Sequence, residues 1–269
     1  MTPVLSIIIV SFNTRADLRR CLASLHDPAP QLPHEIIVVD NASSDGSALE
    51  AGAHANVRVI ETGTNLGFSA ANNRGIRASL GRYLLLLNSD TLVPPGAIDS
   101  LVAVLEEHPE AAVVGPRLVD EQGRAELSFG AMISPLAEWR QGRLVRGAAS
   151  GDAKIVAHVE AVTRRVQWPD WVSGACLLVR RTAAERAGLL DERYFMYTED
   201  VDFCATVRAQ GGRILFTPEV EIVHLGGRSK ATAPQATHAA YRRSHVAFYR
   251  KHYPCLAPFL RLYTRLRDF

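Results

Sequence analysis

The sequence has few cysteines, no long apolar run and little net charge, and each shortage excludes a class of protein. Its four cysteines are scattered without a CxxC pair, which argues against a disulfide framework or a zinc site and indicates reduced thiols. No apolar run approaches the about 20 residues that span a bilayer. A formal net charge of only +2 gives no basis for a nucleic-acid partner.

Apolar residues are plentiful, at 47% of the 269 residues, which suits one large domain or one domain with a tail. The N-terminus lacks the basic start and the cleavage site of a signal peptide, so residues 4–10 are predicted to form a buried strand. We therefore expect a cytoplasmic protein, either soluble or held peripherally on the inner face of the cytoplasmic membrane.

Short apolar runs alternate with helical patterns through the first half of the chain. Strands are predicted at 4–11, 35–39, 57–61 and 83–87, with helices after the first strand, at 69–79 and around 98–105. Thr14 and Asp17 have the spacing of a capping box for the first helix. This alternation predicts an α/β fold with a mostly parallel central sheet flanked by helices.

The second half is less regular. Residues 120–167 have little periodicity and predict a hairpin followed by a mobile or excursive segment. Further predicted elements are a strand at 171–180, a helix at 200–210, strands at 213–216 and 220–223, and an aromatic helical tail from 235.

The carboxyl ends of the predicted strands form the expected ligand-binding edge. Ser11 and Asn13 follow the first strand, Asp40 the second, and Asn88 and Asp90 the fourth. Asp40 has the chemistry to accept the imide N–H of uracil or thymine or to hold a ribose hydroxyl, and it equally suits a helix cap. Asn88 and Asp90, two residues apart, suit Mg²⁺ or Mn²⁺, or form a polar exit from the strand.

Two segments of the second half have residues that suit an acceptor site. Glu199, Asp200 and Asp202 begin a predicted helix, where acidic side chains are favourable on electrostatic grounds alone and where one carboxylate could also act as a general base. The segment 171–175, which includes Trp171 and Gly174, could place a shelf of small residues beside the acceptor. Alternatively, Gly174 serves tight backbone packing and Trp171 belongs to the core.

His224 follows the last predicted strand and precedes a glycine pair with two cations, Arg228 and Lys230. An imidazole there can complete a metal site, and the two cations can hold a diphosphate. The alternative for His224 is a structural role in the fold.

Taken in chain order, seven segments resemble the family 2 glycosyltransferases of the GT-A fold. They are SIIIVSFN at 6–13, IIVVDNASSDGS at 36–47, TNLGFSAANNRGI at 64–76, YLLLLNSDT at 83–91, WVSGACLLVRR at 171–181, FMYTEDVDF at 195–203 and VHLGGRS at 223–229. The NLGFSAANN and NSD segments are most similar to bacterial rhamnosyltransferase-like members. The resemblance implies a GT-A nucleotide-diphospho-sugar transferase domain at 1–230 and a helical, basic and aromatic tail at 231–269.

The resemblance also implies roles for the matching residues. Ser11 and Asp40 would contact the nucleotide, while Asn88 stands where many members have Asp and would touch ribose or phosphate. Asp200 would be the catalytic base. The remaining implied roles are a divalent-metal ligand for Asp90, a distal metal or diphosphate contact for His224, and support of the acceptor or ordering of the site for Asp202.

The implied reaction is inverting and non-processive transfer of one sugar. The donor would be a dTDP- or UDP-sugar, with dTDP-L-rhamnose favoured, and the acceptor a hydroxyl of a cell-surface glycan or lipid-linked precursor. Residues 208–212 read RAQGG, so the Gln-x-x-Arg-Trp motif of processive members is absent there. The alternatives are a nucleotidyltransferase, against which the glycine-free segment SFNTR at 11–15 counts, and a non-catalytic nucleotide-sugar-binding module.

Basic and aromatic residues interleave in the tail from 238 to 269. This composition suits an anionic membrane surface, and equally a helix packed on the main domain or a dimer contact.

Overall fold

A computed structural model describes residues 2–226 and 234–256, with the side chains of 234–237 excepted. The strands are β1 (Leu5–Ser11), β2 (His34–Asp40), β3 (Val57–Glu61), β4 (Tyr83–Asn88), β5 (Thr91–Leu92), β6 (Ala111–Val119), β7 (Phe129–Gly130), β8 (Trp171–Val172), β9 (Cys176–Arg180) and β10 (Arg213–His224). The helices are α1 (Arg15–His26), α2 (Ser47–Gly52), α3 (Phe68–Ala78), α4 (Ala97–Glu107), α5 (Pro135–Ala149), α6 (Ala153–Thr163), α7 (Arg181–Arg186), α8 (Glu199–Ala209) and α9 (Pro234–His252).

The central sheet has eight strands in the order β3-β2-β1-β4-β9-β6-β10-β5. The pairs β3–β2, β2–β1, β1–β4 and β6–β10 are parallel, whereas β9 runs antiparallel to both β4 and β6, and β5 antiparallel to β10. The α/β fold is therefore confirmed, with a mixed sheet. β7 and β8 form a separate two-stranded ribbon.

Both faces of the sheet are covered, which explains the continuous apolar runs of its strands. Successive side chains of a strand point to opposite faces, and Ile7 and Ile9 accordingly pack in one core cluster while Ile8 packs in the other. Helices α1 and α4 contribute to the first cluster, and α3 and α8 to the second.

Strand register brings the predicted polar residues to one edge. Ser11 on β1 pairs with Asp40 on β2, and Val10 pairs with Asn88 on β4. Because these three strands are parallel neighbours, their carboxyl ends lie side by side, as the sequence predicts.

Several local predictions were wrong. Residues 135–163, expected to be mobile, form the helices α5 and α6, and the single strand expected at 171–180 is interrupted after Val172. The strands expected at 213–216 and 220–223 are one strand, β10, with a register shift between Thr217 and Glu221. Thr14 makes no capping bond, because its hydroxyl bonds instead with those of Ser11 (2.9 Å) and Ser89 (3.0 Å).

The described part of the predicted tail packs on the main domain. Phe248 is fully buried and Tyr249 is 2% exposed, in a cluster with Tyr194 and Val201. The Ser244 hydroxyl on α9 donates to the Met196 carbonyl (2.8 Å). These contacts favour the packed-helix alternative for α9. The domain boundary predicted at residue 230 and the rest of the tail, from 257, lie outside the described residues.

We expect Phe248→Ala to lower the free energy of unfolding by about 3–5 kcal/mol, because it removes a large side chain from a closed core. Chemical denaturation monitored by circular dichroism measures this loss. Leu80→Ala is the control, since Leu80 is 68% exposed and its loss should change stability by about 0.5 kcal/mol or less. Equal stability of the Phe248→Ala variant would mean that α9 is not part of the folded unit.

Candidate active site

Asp40 supplies a buried carboxylate at the nucleotide edge predicted from the sequence. It is 2% exposed, and its Oδ2 accepts from the Ser43 N–H (2.9 Å). Its Oδ1 is buried without a hydrogen-bond partner among the described residues. Buried polar atoms almost always have partners, so this oxygen is suited to accept a hydrogen bond from a ligand.

Ser11 and Asn13 shape the loop beside Asp40. Ser11 is fully buried and bonded to Thr14, so it acts through the loop's structure. Asn13 has a φ of +54°, its N–H donates to the Ser43 hydroxyl (3.0 Å), and its Oδ1 accepts from the Ser44 N–H (2.8 Å). The loops after β1 and β2 are therefore tied together, which holds the two predicted nucleotide contacts in one place.

Asp90 and His224 come together across the β5–β10 pairing, with 3.5 Å between Asp90 Oδ1 and His224 Nε2. The other ring nitrogen of His224 lies 3.0 Å from Glu126 Oε2. Burial lowers the pKa of His224, but the hydrogen bonds and the negative charges of Asp90 and Glu126 outweigh it and raise that pKa to about 10. Asn88 lies at the end of β4, two residues before Asp90, and its side chain is partly exposed.

With its pKa raised, His224 without a metal would be protonated and paired with Asp90, so a cation has to displace this proton to bind the imidazole. The deprotonated pair fits a divalent cation whose remaining ligands come from water and substrate. Among the described residues no group of three or more His, Cys, Asp or Glu side chains could hold a metal by itself. Mg²⁺ and Mn²⁺ sites commonly use one or two protein ligands and complete the shell with water and phosphate oxygens. Glu126 would orient the imidazole through its second nitrogen, as carboxylates often do for metal-ligating histidines.

Asp200 is the second residue of α8, and two backbone N–H groups fix its carboxylate. Gly174 donates to Oδ2 (3.0 Å) and Val201 to Oδ1 (2.8 Å). Burial raises the pKa of Asp200 above its ordinary value, although these hydrogen bonds lower it. A Cβ on Gly174 would lie 3.4 Å from the Asp200 Cβ, an ordinary van der Waals contact, so the packing at this position does not require glycine. The result is a carboxylate with a fixed position and a raised pKa, two properties that suit a general base.

The segment before α8 holds two unusual backbone conformations. Tyr197 and Thr198 have φ values of +68° and +72°, a left-handed region that costs a non-glycine residue of order 1–3 kcal/mol. Burial and the negative charges of Glu199 and Asp90 raise the pKa of Tyr197. Such strain concentrates at functional sites.

Glu199 is 7% exposed, and its Oε2 has no hydrogen-bond partner among the described residues. Burial, reinforced by the charge of Asp200, raises its pKa well above the ordinary value. A buried carboxyl group in this state suits contact with a substrate hydroxyl, in line with the predicted acceptor role.

Two predicted acceptor residues serve the packing of the domain. Asp202 is 1% exposed and accepts from the Tyr194 hydroxyl (3.0 Å), from Lys251 (2.7 Å) and at His252 (2.6 Å), so it ties α8 to α9. Trp171 donates its indole N–H to the Ala131 carbonyl (2.9 Å) and packs between core clusters. Arg228 and Lys230, predicted to bind diphosphate, lie outside the described residues.

The segment 64–76 was used for the family resemblance, but no role was predicted for the loop at 62–67, which contacts Phe195 in the segment before α8. Asn41 accepts from the Leu66 N–H and donates to Asn65 (both 2.9 Å). Gly67 has a φ of +83°, and a Cβ there would lie 2.5 Å from the Phe195 carbonyl, so only glycine allows the contact. The signal was present in the Asn-Leu-Gly sequence. Glu126 was also missed, since nothing in the sequence links it to His224.

Comparison with known proteins identifies the family of this chain. The sequence model of Glycosyl transferase family 2 matches residues 6–157, and that of Glycosyl transferase family group 2 matches residues 83–252. An N-acetylglucosaminyl-diphospho-decaprenol L-rhamnosyltransferase of Mycobacterium tuberculosis is 32% identical over 92% of this chain and 84% of its own length. The chain belongs to glycosyl transferase family 2.

A second relative of this family 2 glycosyltransferase is the low-salt glycan biosynthesis hexosyltransferase Agl10 of Haloferax volcanii, 27% identical over 82% of this chain and 66% of its own. Among solved structures, the mannosyltransferase PcManGT of Pyrobaculum calidifontis, in complex with GDP-Man and Mn²⁺, has a TM-score of 0.63. It is 18% identical, with 97% of this chain and 69% of that chain covered. This likeness shows the GT-A fold.

The enzyme is thus a nucleotide-sugar glycosyltransferase, as the seven segments predict, rather than a nucleotidyltransferase or a non-catalytic module. Within residues 2–226 and 234–256, no helix is both long enough and apolar enough to cross a membrane.

Proposed function

We propose that this enzyme is an inverting, non-processive rhamnosyltransferase that depends on a divalent metal, Mg²⁺ or Mn²⁺. It transfers one L-rhamnose from dTDP-L-rhamnose to a hydroxyl of a lipid-linked glycan precursor at the inner face of the cytoplasmic membrane. The observation that carries the proposal is the carboxylate of Asp200, held by the Gly174 N–H on a loop whose next residue, Ala175, accepts from the Asn88 N–H (2.9 Å), two residues before Asp90.

Donor binding would use the edge of the sheet formed by β1, β2 and β4. The free Oδ1 of Asp40 suits the imide N–H that uracil and thymine share, while Asn88 suits ribose or phosphate. A divalent cation held by Asp90 and His224 would neutralise the charge that develops on the departing diphosphate. The rhamnose assignment is supported by the mycobacterial relative, whose name specifies L-rhamnose transfer.

Transfer would follow from a single displacement. Asp200 takes the proton of the acceptor hydroxyl as its oxygen attacks the anomeric carbon, and the bond to the nucleoside diphosphate breaks on the opposite side. One base and one displacement give inversion. Glu199, with its free buried oxygen, would help to orient the acceptor. The name of the mycobacterial relative specifies a diphospho-lipid acceptor, and we propose the same class here.

A thermal-shift panel of dTDP, UDP, GDP, ADP and their sugars, each with and without Mn²⁺, tests the proposal. A ligand that binds only the folded state adds about 2.7 kcal/mol of stability at a hundredfold excess over Kd. We expect Mn²⁺-dependent stabilisation by dTDP and UDP, with dTDP-rhamnose exceeding UDP-sugars. A larger stabilisation by UDP-sugars than by dTDP-rhamnose would contradict the proposed donor. No stabilisation by any nucleotide would contradict the proposed nucleotide-binding site.

Asp40→Asn should weaken dTDP binding roughly tenfold, because a neutral amide replaces a charged acceptor. Binding of GDP and ADP, which lack a pyrimidine imide, should change far less. Isothermal titration in the presence of Mn²⁺ measures both affinities. Equal losses for all four nucleotides would show that Asp40 acts on the ribose or on the fold and not on the base.

A further inference from the structure

Helix α5 is unusual among the helices of this enzyme, because none of its 15 described residues is fully buried. A helix of this length is marginal in water unless tertiary contacts support it. Its C-terminal part packs on α6, where Gly147 lies against Ile155, and one side of the helix is tied to α9 and β7. The Glu138 carboxylate accepts from the Tyr249 hydroxyl (2.8 Å) and contacts His245 on α9, and Gln141 donates to the Phe129 carbonyl (3.3 Å).

The opposite side of α5 carries five exposed residues at helical spacing, which we call the α5 face: Leu136, Trp139, Arg140, Arg143 and Arg146. Their intervals of three and four residues place them on one stripe. Leu136 is 56% exposed and Trp139 58% exposed, although both are large apolar side chains. Within the described part of the chain, the three arginines make no ion pair.

The acidic residues of the α5–α6 segment, 134–166, do not offset these charges, because each already has partners. Glu138 is bound by α9. Asp152 caps α6 by accepting from the N–H groups of Lys154 and Ile155 (3.0 and 3.2 Å). Glu160 pairs with the buried Arg117 (2.7 Å) and with Arg164 (2.6 Å). The α5 face therefore presents positive charge with an aromatic and an aliphatic side chain among it.

We propose that the α5 face docks on an anionic lipid bilayer. Helices that lie in a membrane interface combine arginines on their polar side with Trp and Leu side chains that enter the boundary between headgroups and acyl chains. An anionic leaflet supplies the negative charge that complements the three arginines. This inference rests on the proposed function, because the membrane contact would serve transfer to the lipid-linked acceptor proposed above.

The position of α5 suits this role. Gln141 fixes α5 to β7, β7 pairs with β8, and the loop after β8 supplies the Gly174 N–H that holds Asp200. A membrane contact through α5 would thus act on an element that is bonded to the ribbon preceding the Asp200 loop. The contact lies on a described helix of the catalytic domain, not on the tail for which the sequence suggested it.

Vesicle co-sedimentation of the full chain tests the proposal. We expect binding to vesicles of equal parts phosphatidylcholine and phosphatidylglycerol, weak binding to phosphatidylcholine alone, and loss of binding as salt shortens the range of the charges. The triple variant Arg140→Glu, Arg143→Glu, Arg146→Glu should bind about a hundredfold more weakly, and Trp139→Ala several-fold more weakly.

The matched control reverses three other exposed arginines, Arg58→Glu, Arg74→Glu and Arg186→Glu, and so has the same net charge. It should retain most of the vesicle binding, which separates the α5 face from overall charge. Equal losses in the two triple variants, or no binding of the wild type to anionic vesicles, would overturn the proposal. So would a dimer in sedimentation velocity that Trp139→Ala dissociates, since the face would then be an interface between copies.

Activity assays separate this inference from the proposed function. Transfer to a water-soluble acceptor analogue should be the same in the wild type and in both triple variants, whereas transfer to an acceptor embedded in anionic vesicles should fall only in the α5 variant. If the wild type transfers rhamnose to neither acceptor, the proposed function is wrong. The vesicle-binding measurements still show whether the α5 face binds anionic membranes. Equal transfer to the embedded acceptor by all three proteins would contradict the membrane role of α5.

Discussion

Asp200→Asn is expected to lower kcat by roughly 10²–10⁴-fold while the donor Kd stays nearly unchanged, because a positioned general base contributes about that much to the rate. Asparagine keeps the shape of the side chain, and its amide oxygen can still accept from the Gly174 N–H, so the loop after β8 should keep its place. Product formation under saturating donor measures kcat, and isothermal titration measures donor binding.

The matched control is Asp202→Asn, which changes a residue two positions further along α8. Asp202 bonds to Tyr194, Lys251 and His252, so its change should lower the free energy of unfolding by roughly 2 kcal/mol through weakened charged hydrogen bonds. Its kcat at a temperature where the variant is folded should remain within about tenfold of the wild type. Wild-type turnover in Asp200→Asn would remove Asp200 as the base.

The pH profile gives a second view of the same carboxylate. Burial raises the pKa of Asp200 in the folded enzyme, and only the ionised form can take a proton. Activity is therefore present above the raised pKa and is lost as pH falls through it, at a higher pH than an exposed Asp would give. The acidic limb of kcat/KM against pH measures this. Activity that persists into the usual range of an exposed Asp would argue for another base.

Asp90→Ala is expected to abolish the Mn²⁺-dependent part of dTDP binding and to lower kcat/KM by about a thousandfold. A bound metal supplies several kcal/mol of charge stabilisation at a leaving diphosphate, and each 1.36 kcal/mol is tenfold in rate. The loss of Mn²⁺-dependent dTDP binding should appear in the thermal shift, and the loss of catalysis should appear in turnover. The two measurements report binding and chemistry separately.

A graded variant and a control sharpen the test of the metal pair. Glu126→Gln keeps the side chain that orients His224 but removes its charge, and it should weaken Mn²⁺ binding by roughly 10–100-fold. Glu107→Ala removes an exposed carboxylate on α4 and should leave both readouts unchanged. Retained Mn²⁺ dependence in Asp90→Ala would place the metal elsewhere or nowhere.

The polar edge of the sheet could be predicted because it depends on local patterns. Buried strands that end in Ser11, Asp40 and Asn88 must bring those residues together if the strands are parallel neighbours, and the register shows that they are. The acidic start of α8 was equally visible. By contrast, the link between Glu126 and His224 joins residues far apart in sequence, and no periodicity reports such a pairing.

The α5–α6 segment was misread for a physical reason. Sequence periodicity detects a helix through the apolar stripe that it buries, and α5 buries no complete side chain among its described residues. Its stability comes instead from polar bonds of Glu138 and Gln141 and from a Ser134 cap with Pro135 at the first turn. The direction of β9 was hidden similarly, since an apolar run reads the same in a parallel or an antiparallel strand.

For Asp202 the contacts favour ordering of the site, one of its two predicted roles, over support of the acceptor. Asp202 stands two residues from the base within the same acidic segment, yet the helix turns its carboxylate toward α9, where Lys251 and His252 bind it. Residues two apart on a helix point in different directions, so sequence proximity does not imply a shared site.

The most direct test of the central claim is a proton and carbon NMR analysis of the product formed from dTDP-L-rhamnose, Mn²⁺ and a short-chain, water-soluble N-acetylglucosaminyl-diphospho-lipid analogue. We predict one rhamnosyl residue per acceptor, an anomeric configuration opposite to that of the donor, and one dTDP released per transfer. Retained configuration would contradict the single displacement by Asp200, and transfer from other nucleotide sugars but not from dTDP-L-rhamnose would contradict the proposed donor.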